Sequence, residues 1–188
     1  YTEENTLSLH DALPIFSTIV GANKDEAVTF LATFPDNESL IVGGLEAKYG
    51  KDNGDAIYAL YADEGGAKSR LVQFAGDLVF NCPAEALAKT AAGGKGRTYL
   101  YTMTRGWDDG YFPGMGTFHG MDFLYLFSSF STFKHTPSPE DLTLALAMKS
   151  AWSGLVSGAM PAQRFQVDWP AYDSATHTSL NIDLTSSM

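Results

Sequence analysis

The sequence predicts an α/β fold, and three stretches of the chain indicate this class. Residues 16–20 form a short, apolar and β-branched run closed by Gly21, which predicts a buried strand. Residues 97–104 alternate and are rich in aromatic and β-branched side chains, which predicts a second strand. The clearest helix is predicted over residues 141–156, where apolar side chains recur at helical spacing. Strands separated by long helical stretches are typical of layered α/β proteins.

The rest of the chain is predicted to be mostly helical. The remaining predicted elements are a helix start at 25–31, helical stretches at 38–62 and 68–92, a loop at 105–118 and a short strand at 179–184. Interruptions are expected at Gly43-Gly44 and at residues 50–54, and Pro83 is expected to mark a break or a helix start. Two or three strands are too few for a complete sheet of this class, so the chain is expected to be part of a larger domain.

Composition and charge restrict the classes of function. The chain has 188 residues, of which 45% are hydrophobic and 18% charged, and this is typical of one globular domain. The formal net charge of −10 argues against nucleic acid and anionic membranes as partners. No apolar run approaches the roughly 20 residues of a membrane helix. Cys82 is the single cysteine, and no His or Cys pair has ligand spacing, so no metal is expected. The sequence does not indicate a cellular compartment.

Residues 1–15 are predicted not to be native protein sequence. Residues 6–15 read Thr-Leu-Ser-Leu-His-Asp-Ala-Leu-Pro-Ile, which is the translation of the end of a common short-read sequencing adapter. Residues 1–5 fit the preceding part of that adapter in the same frame. The alternative is the start of a natural amphipathic helix, capped by Ser8 or Asp11. On the adapter interpretation, residues 16–188 alone form the functional domain.

Two polar residues follow the predicted strands at positions suited to catalysis. Glu26 comes just past the first strand, and His119 follows the glycine-rich loop after the second. If the strands are parallel neighbours, both side chains emerge at one edge of the sheet, where a carboxylate can orient an imidazole as general base. The spacing alone leaves open a helix-capping acid and a histidine that makes structural hydrogen bonds. His135 and His177 lie in polar, turn-like surroundings and are assigned no chemical role.

Several segments resemble the type-B carboxylesterase and cholinesterase family, and they follow that family's order. Residues 16–26 resemble the strand that runs into Gly-x-Asn-x-Asp-Glu, and residues 116–127 resemble the segment in which His-Gly precedes an acid and an apolar run. The helix and strand within residues 77–101 and the Trp-Pro-x-Tyr motif at residues 169–172 match as well. The matches are collinear and cover nearly all of residues 16–188.

This resemblance implies the C-terminal portion of an α/β-hydrolase fold, an incomplete sheet with flanking helices, in an enzyme that hydrolyses small carboxylic esters. Glu26 is implied as the acid and His119 as the base of a Ser-Glu-His triad. Asp122 is implied as a supporting residue, with a helix-start acid as the alternative. No cofactor or metal is implied. The family's Gly-x-Ser-x-Gly motif does not occur in the chain, and Ser157 lacks the pattern, so the serine is expected in a missing N-terminal half.

Two further alternatives remain open at this point. Some relatives of these esterases are non-catalytic adhesion or binding proteins, so the chain is also compatible with a partner-binding module. If residues 1–15 are native, a complete small α/β domain is a third alternative.

Aromatic residues near His119 are expected either to wall a substrate gorge or, as the favoured alternative, to pack within their loop; they are Trp107, Tyr111, Phe112 and Phe118.

Overall fold

The core of the fold is a parallel β-sheet with helices on both faces. The computed structural model describes residues 16–111, 113–158, 165 and 167–187. Within these residues the strands lie in the order β1 (Thr18–Asn23), β2 (Thr98–Met103) and β3 (Leu180–Ile182), so β1 and β3 are the edges. β1 and β2 are parallel neighbours, paired from Thr18 opposite Thr98 to Asn23 opposite Met103. The two predicted strands and the short third strand are confirmed.

Six α-helices flank the sheet in the described part of the chain. They are α1 (Glu38–Tyr49), α2 (Lys51–Leu60), α3 (Ala67–Gly76), α4 (Cys82–Ala92), α5 (Met121–Leu126) and α6 (Pro139–Val156). The π-helical segment Asp77–Asn81 joins α3 to α4. None of these helices is long and apolar enough to cross a membrane. Residues 1–15, whose adapter origin stays a prediction, and Phe112 lie outside the described residues.

The helix predicted to begin at residues 25–31 is wrong. These residues form consecutive turns, in which the Val28 N–H donates to Asp25 O and the Leu31 N–H donates to Ala27 O, both at 3.0 Å. One bond spans three residues and the other spans four, so a regular helix does not propagate. The side chains of Asp25 and Glu26 bind other parts of the chain, and these tertiary contacts override the local helical pattern.

The expected interruption at Gly43-Gly44 is also wrong, because α1 runs through both glycines. Asn37 caps this helix by accepting the Leu40 N–H at 3.0 Å, and Ile41 and Leu45 bury its inner face. The interruption expected at residues 50–54 is present but confined to Gly50, whose φ of 83° favours glycine, because α2 begins at Lys51 and runs through Gly54. Pro83 lies in the first turn of α4, directly after the π-helical segment, so the helix type changes beside the position where a break or a helix start is expected.

Apolar side chains cover both faces of the sheet, because successive residues of a strand point to opposite faces. On one face Tyr99 and Tyr101 pack against α5, α6 and Trp169. The indole N–H of Trp169 donates to Leu100 O at 2.9 Å and fixes the tail of the chain to β2. On the other face Leu100 packs against Ala88 of α4. Burial on both faces confirms the α/β class.

Close packing between β1 and β2 brings the residues that follow the two strands together at one edge of the sheet. Gly21 stands opposite Tyr101 in the register, and a Cβ at Gly21 would overlap the Tyr101 ring. Without that side chain, the ring lies across β1 and its hydroxyl reaches Asp122 beyond the strand. Lys24 N–H still donates to Met103 O at 2.9 Å, so the chain leaves β1 in contact with the end of β2. The residues that follow both strands therefore meet at this edge.

Candidate active site

The two residues predicted at the strand ends are in contact. His119 Nδ1 lies 2.6 Å from Glu26 Oε2. The side chain of Glu26 is 4% exposed and that of His119 is 48% exposed, so the acid is buried and the imidazole faces outward. A carboxylate at Nδ1 favours the tautomer in which Nδ1 carries the proton and Nε2 has a free lone pair. The pair has the geometry of a general base oriented by an acid.

Asn23 fixes the second oxygen of the buried carboxylate. Glu26 Oε1 accepts the Asn23 backbone N–H at 2.7 Å and the Asn23 side-chain amide at 3.1 Å. A buried carboxylate requires such donors, since an unpaired charge away from water is costly. With Oε1 held by Asn23, Oε2 is the oxygen that faces His119. Asn23 is buried at the last position of β1, so the strand itself sets the orientation of the acid.

Asp122 is connected to this pair by hydrogen bonds with Asn23. Asp122 Oδ1 accepts the Asn23 amide at 3.1 Å, and the Asp122 backbone N–H donates to Asn23 Oδ1 at 3.2 Å. Its other oxygen accepts the Tyr101 hydroxyl at 2.7 Å. Burial and the charge of Asp122 raise the pKa of Tyr101, so the phenol keeps its proton and donates it. Asp122 Oδ1 also accepts the Phe123 N–H at 3.0 Å in the first turn of α5.

Asp25 connects the acid segment to the histidine segment. Its Oδ2 accepts the Thr117 N–H at 2.8 Å, while its own N–H donates to Thr117 O at 3.0 Å. The remaining oxygen, Oδ1, accepts the Gln73 amide at 2.7 Å. Gly116 has a φ of 67°, and a Cβ there would overlap the Asp25 carboxylate. Asp25 precedes Glu26 and Thr117 lies two residues before His119, so this contact fixes the separation of the pair.

His119 opens onto a cavity of about 270 Å³ beside the end of β1. The centroids of the Phe30 and Phe80 rings lie 5.3 and 4.9 Å from that of the His119 ring. The two phenylalanine rings are nearly parallel, with centroids 6.1 Å apart. Phe80 belongs to the π-helical segment Asp77–Asn81, and π-helical turns are frequent at functional sites. Among the described residues that line the cavity, none carries a hydroxyl or thiol group.

Other residues considered from the sequence lie away from this cavity. Trp107 and Phe118 are buried in the main core, which supports the packing alternative, and Tyr111 is exposed. The buried ring of His135 stacks on Trp107, with centroids 4.0 Å apart. The exposed His177 pairs with Glu85. Ser157 donates its hydroxyl to Gly154 O at the end of α6. No cluster of His, Cys, Asp and Glu in the described ranges is arranged to hold a metal.

The site also involves Asn23, Asp25, Gln73 and Tyr101, which the sequence alone does not identify as site residues. Asn23 and Tyr101 lie in the two strands, β1 and β2, and neither is assigned a role at the site from the sequence. Gln73 carried no signal, because it reaches Asp25 from another helix. The pattern Gly-x-Asn-x-Asp-Glu contains both Asn23 and Asp25, so its polar residues were the available signal.

Comparisons with known proteins agree with this architecture. The chain is similar in structure to a PNB esterase described as thermophilic, with 21% sequence identity and a TM-score of 0.68 over 90% of this chain and 35% of that one. A second PNB esterase has 22% identity and a TM-score of 0.67 over 90% of this chain and 34% of that one. At this identity the likeness establishes the fold, which is that of an α/β-hydrolase. Among curated proteins, none matches significantly.

A family model supplies the assignment. The model described as the carboxylesterase family matches residues 3–188, which is nearly the whole chain. The match extends into residues 1–15 and leaves their adapter origin a prediction. The chain spans 35% and 34% of the lengths of the two esterase structures. The chain belongs to the carboxylesterase family.

Proposed function

We propose that the chain is the C-terminal part of a carboxylic ester hydrolase and supplies Glu26 and His119 to a Ser-Glu-His triad. The observation that carries this proposal is the contact of 2.6 Å between a buried carboxylate and Nδ1 of an imidazole that faces a cavity. Asn23 donates to the Glu26 carboxylate, and Asp25 accepts from Thr117 in the segment that carries His119, so both members of the pair are held in place. This arrangement favours catalysis over the alternative of a non-catalytic binding module. The proposed functional unit is residues 16–188, and residues 1–15 are proposed to derive from the sequencing adapter.

The proposed reaction is acyl transfer through a serine in another part of the protein. Nε2 of His119 takes the hydroxyl proton while the serine oxygen attacks the carbonyl carbon of the ester, and Glu26 stabilises the imidazolium. The bond to the alcohol oxygen then breaks, and the imidazolium returns the proton to that oxygen. Water attacks the acyl-serine in the same way and releases the carboxylic acid. This chemistry uses side chains alone and requires no cofactor or metal.

Replacing His119 by alanine in the whole protein is expected to lower kcat/KM for p-nitrophenyl acetate by about 10⁴-fold or more, because the general base is lost. The matched control is His177→Asn, since His177 is an exposed histidine with a φ of 51° that asparagine tolerates, and it pairs with Glu85 away from the site. This control is expected to retain full activity. Equal activity in His119→Ala and wild type would reject the proposed function.

The 188-residue chain by itself is expected to show no triad-type turnover of the ester, because the cavity lining in its described part offers no hydroxyl or thiol nucleophile. The same p-nitrophenyl acetate assay measures this. Turnover by the chain that disappears in His119→Ala would show that the nucleophile lies within these residues and would contradict the expectation.

Asp25→Ala is expected to lower kcat by roughly 10- to 100-fold with little change in KM, because the Thr117 N–H loses its acceptor and His119 shifts from Glu26. Asp25→Asn is expected to restore most of kcat, since its amide can accept from Thr117 and donate to a flipped Gln73 amide. Asp36→Ala is the control, because Asp36 accepts the Lys68 N–H away from the site. Equal losses in Asp25→Ala and Asp25→Asn would contradict a positioning role.

A further inference from the structure

His135 is a buried histidine that the proposed reaction does not use. Its side chain is 6% exposed, and each ring nitrogen faces a carboxylate. Nδ1 makes a hydrogen bond with Asp109 Oδ1, and Nε2 lies 3.4 Å from Asp141 Oδ2. A neutral imidazole has one N–H and can offer it to only one of two carboxylates, whereas an imidazolium offers an N–H to each. The placement of the two acids therefore favours the protonated ring.

The surroundings of this ring stabilise a positive charge in two further ways. Trp107 stacks on it, with centroids 4.0 Å apart and planes 5° apart, and the face of an indole attracts a cation. Nε2 is buried and has no hydrogen-bond partner among the described residues, so a lone pair there would have no donor. A proton on Nε2 instead places positive charge beside the Asp141 carboxylate.

The charges around the ring leave one negative charge uncompensated. Asp141 pairs with Arg105, whose Nε lies 2.9 Å from Oδ1. Burial and the hydrogen bond to Asp141 raise the pKa of Tyr125, so this phenol stays neutral. Hydrogen bonds from the imidazole and from the Thr136 N–H hold the pKa of Asp109 below its usual value, so this acid is ionised. Two carboxylates and one guanidinium carry one net negative charge, which an imidazolium neutralises.

Asp109 ties the loop at residues 105–118 to the segment that precedes α6. Its Oδ2 accepts the Thr136 N–H at 3.1 Å, while Oδ1 bonds the buried imidazole. Beside it, the Tyr111 N–H donates to Phe133 O at 2.9 Å. The ion pair between the acid and the imidazolium is the charged contact of this set. The same loop leads into the segment that carries the proposed general base.

We infer that the imidazolium of His135 is a pH-sensitive clasp, which holds the 105–118 loop against the start of α6 and releases it when the proton is lost. Loss of the proton leaves one of the two carboxylates beside a buried lone pair instead of an N–H donor, so the contact with Asp109 weakens. The clasp belongs to the loop and is independent of the ester chemistry.

The direction of the pH dependence follows from where the proton is held. The folded protein holds it between two acids, whereas an unfolded histidine releases it near pH ~6.5. The stabilising contribution of the clasp is therefore complete below that pH. It is lost as the pH rises through the range in which the buried ring is deprotonated. The loop is expected to be closed in mildly acidic solution and loosened in alkaline solution.

Nitrogen NMR of the histidine rings in the 188-residue chain tests the charge. At about pH 7.5, where an ordinary histidine is mostly neutral, both nitrogens of His135 are expected to carry protons in the wild type. Asp109→Asn keeps the shape of the partner but removes its charge, and is expected to leave the ring neutral at this pH. The Asp109 side chain is 47% exposed, so the substitution is expected to preserve the fold. A neutral ring in the wild type, or an imidazolium in both proteins, would overturn the inference.

Hydrogen exchange measures the release of the loop. After correction for base catalysis of exchange, protection of the Tyr111 and Thr136 amides in the wild type is expected to fall by roughly tenfold or more from about pH 6 to about pH 9. In Asp109→Asn the fall is expected to be less than about twofold. His177→Asn is the matched control, because His177 pairs with Glu85 away from the loop, and it is expected to keep the wild-type dependence. Protection in the wild type that does not change with pH, or an equal fall in Asp109→Asn, would reject the clasp.

Discussion

Glu26→Gln is expected to lower the proposed ester-hydrolysing kcat of the whole protein by about 10⁴-fold while the fold persists. Asn23 donates two hydrogen bonds to Oε1 of Glu26, and the amide oxygen of glutamine is the group that can accept both. The amide nitrogen must then face His119 Nδ1, where it donates. This arrangement selects the tautomer with the proton on Nε2, which cannot act as a base, and it removes the charge that stabilises the imidazolium.

Steady-state kinetics with p-nitrophenyl acetate measures the loss. Nitrogen NMR of the imidazole in the 188-residue chain checks its cause, with the proton expected on Nδ1 in the wild type and on Nε2 in the variant. Glu85→Gln is the matched control, because Glu85 also pairs with a histidine but lies away from the His119 cavity. A kcat of Glu26→Gln within tenfold of wild type would show that Glu26 does not orient the base.

Asp141→Ala is expected to reduce the free energy of unfolding by roughly 3–5 kcal/mol, because it removes a buried carboxylate that pairs with the partly exposed Arg105 and accepts other buried donors. The Asp141 side chain is 1% exposed and accepts Arg105 Nε at 2.9 Å and the Tyr125 hydroxyl at 2.6 Å. It also accepts the Ser138 N–H at 3.0 Å and closes the capping box of α6. The variant leaves Arg105, Tyr125 and the first turn of α6 without this acceptor.

The same contacts make this stability dependent on pH. Burial opposes ionisation of Asp141, but the hydrogen bonds from Arg105 and Tyr125 outweigh it and hold the pKa well below its usual value. An unfolded aspartate ionises near pH ~4, so the contribution of Asp141 is complete above that pH and is lost as the pH falls towards its lower folded pKa. Urea unfolding of wild type and Asp141→Asn is expected to converge as the pH falls below about 4.

The adjacent acid provides the control for this prediction. Glu140 lies in the same first turn of α6 but is exposed, so Glu140→Gln is expected to cost less than about 1 kcal/mol through the helix dipole alone. Equal costs for Asp141→Ala and Glu140→Gln would show that the buried pair contributes nothing beyond the general effect of charge at a helix start.

The sequence predicts where the site residues lie better than it predicts which contacts they make. Glu26 and His119 follow strands whose pattern is local, and two parallel neighbouring strands bring their ends together, so their proximity is predictable. The roles of Asn23 and Tyr101 depend on Asp122, which lies 99 residues after Asn23 in the chain, and no local pattern records that contact. The same reason accounts for the missing helix at residues 25–31, where partners such as Thr117 draw the acidic side chains away.

The glycine pair in α1 shows the opposite error. Gly43 and Gly44 each disfavour a helix by up to about 1 kcal/mol, which explains the expected interruption. Burial of Ile41 and Leu45 together with the Asn37 cap outweighs that cost, because packing of one helix face contributes more than local propensity. Local preference is therefore least reliable where a helix has strong tertiary contacts.

The position of β1 at an edge of the sheet has a consequence for assembly. The backbone groups of β1 that point away from β2 have no strand partner within the described ranges, and such an edge readily accepts another chain. Glu26 leaves the sheet from this same strand, so a segment that pairs with β1 also comes to lie beside the proposed catalytic pair. The open strand edge and the proposed catalytic pair therefore lie at the same border of the sheet, so a segment that covers one also changes the solvent exposure of the other.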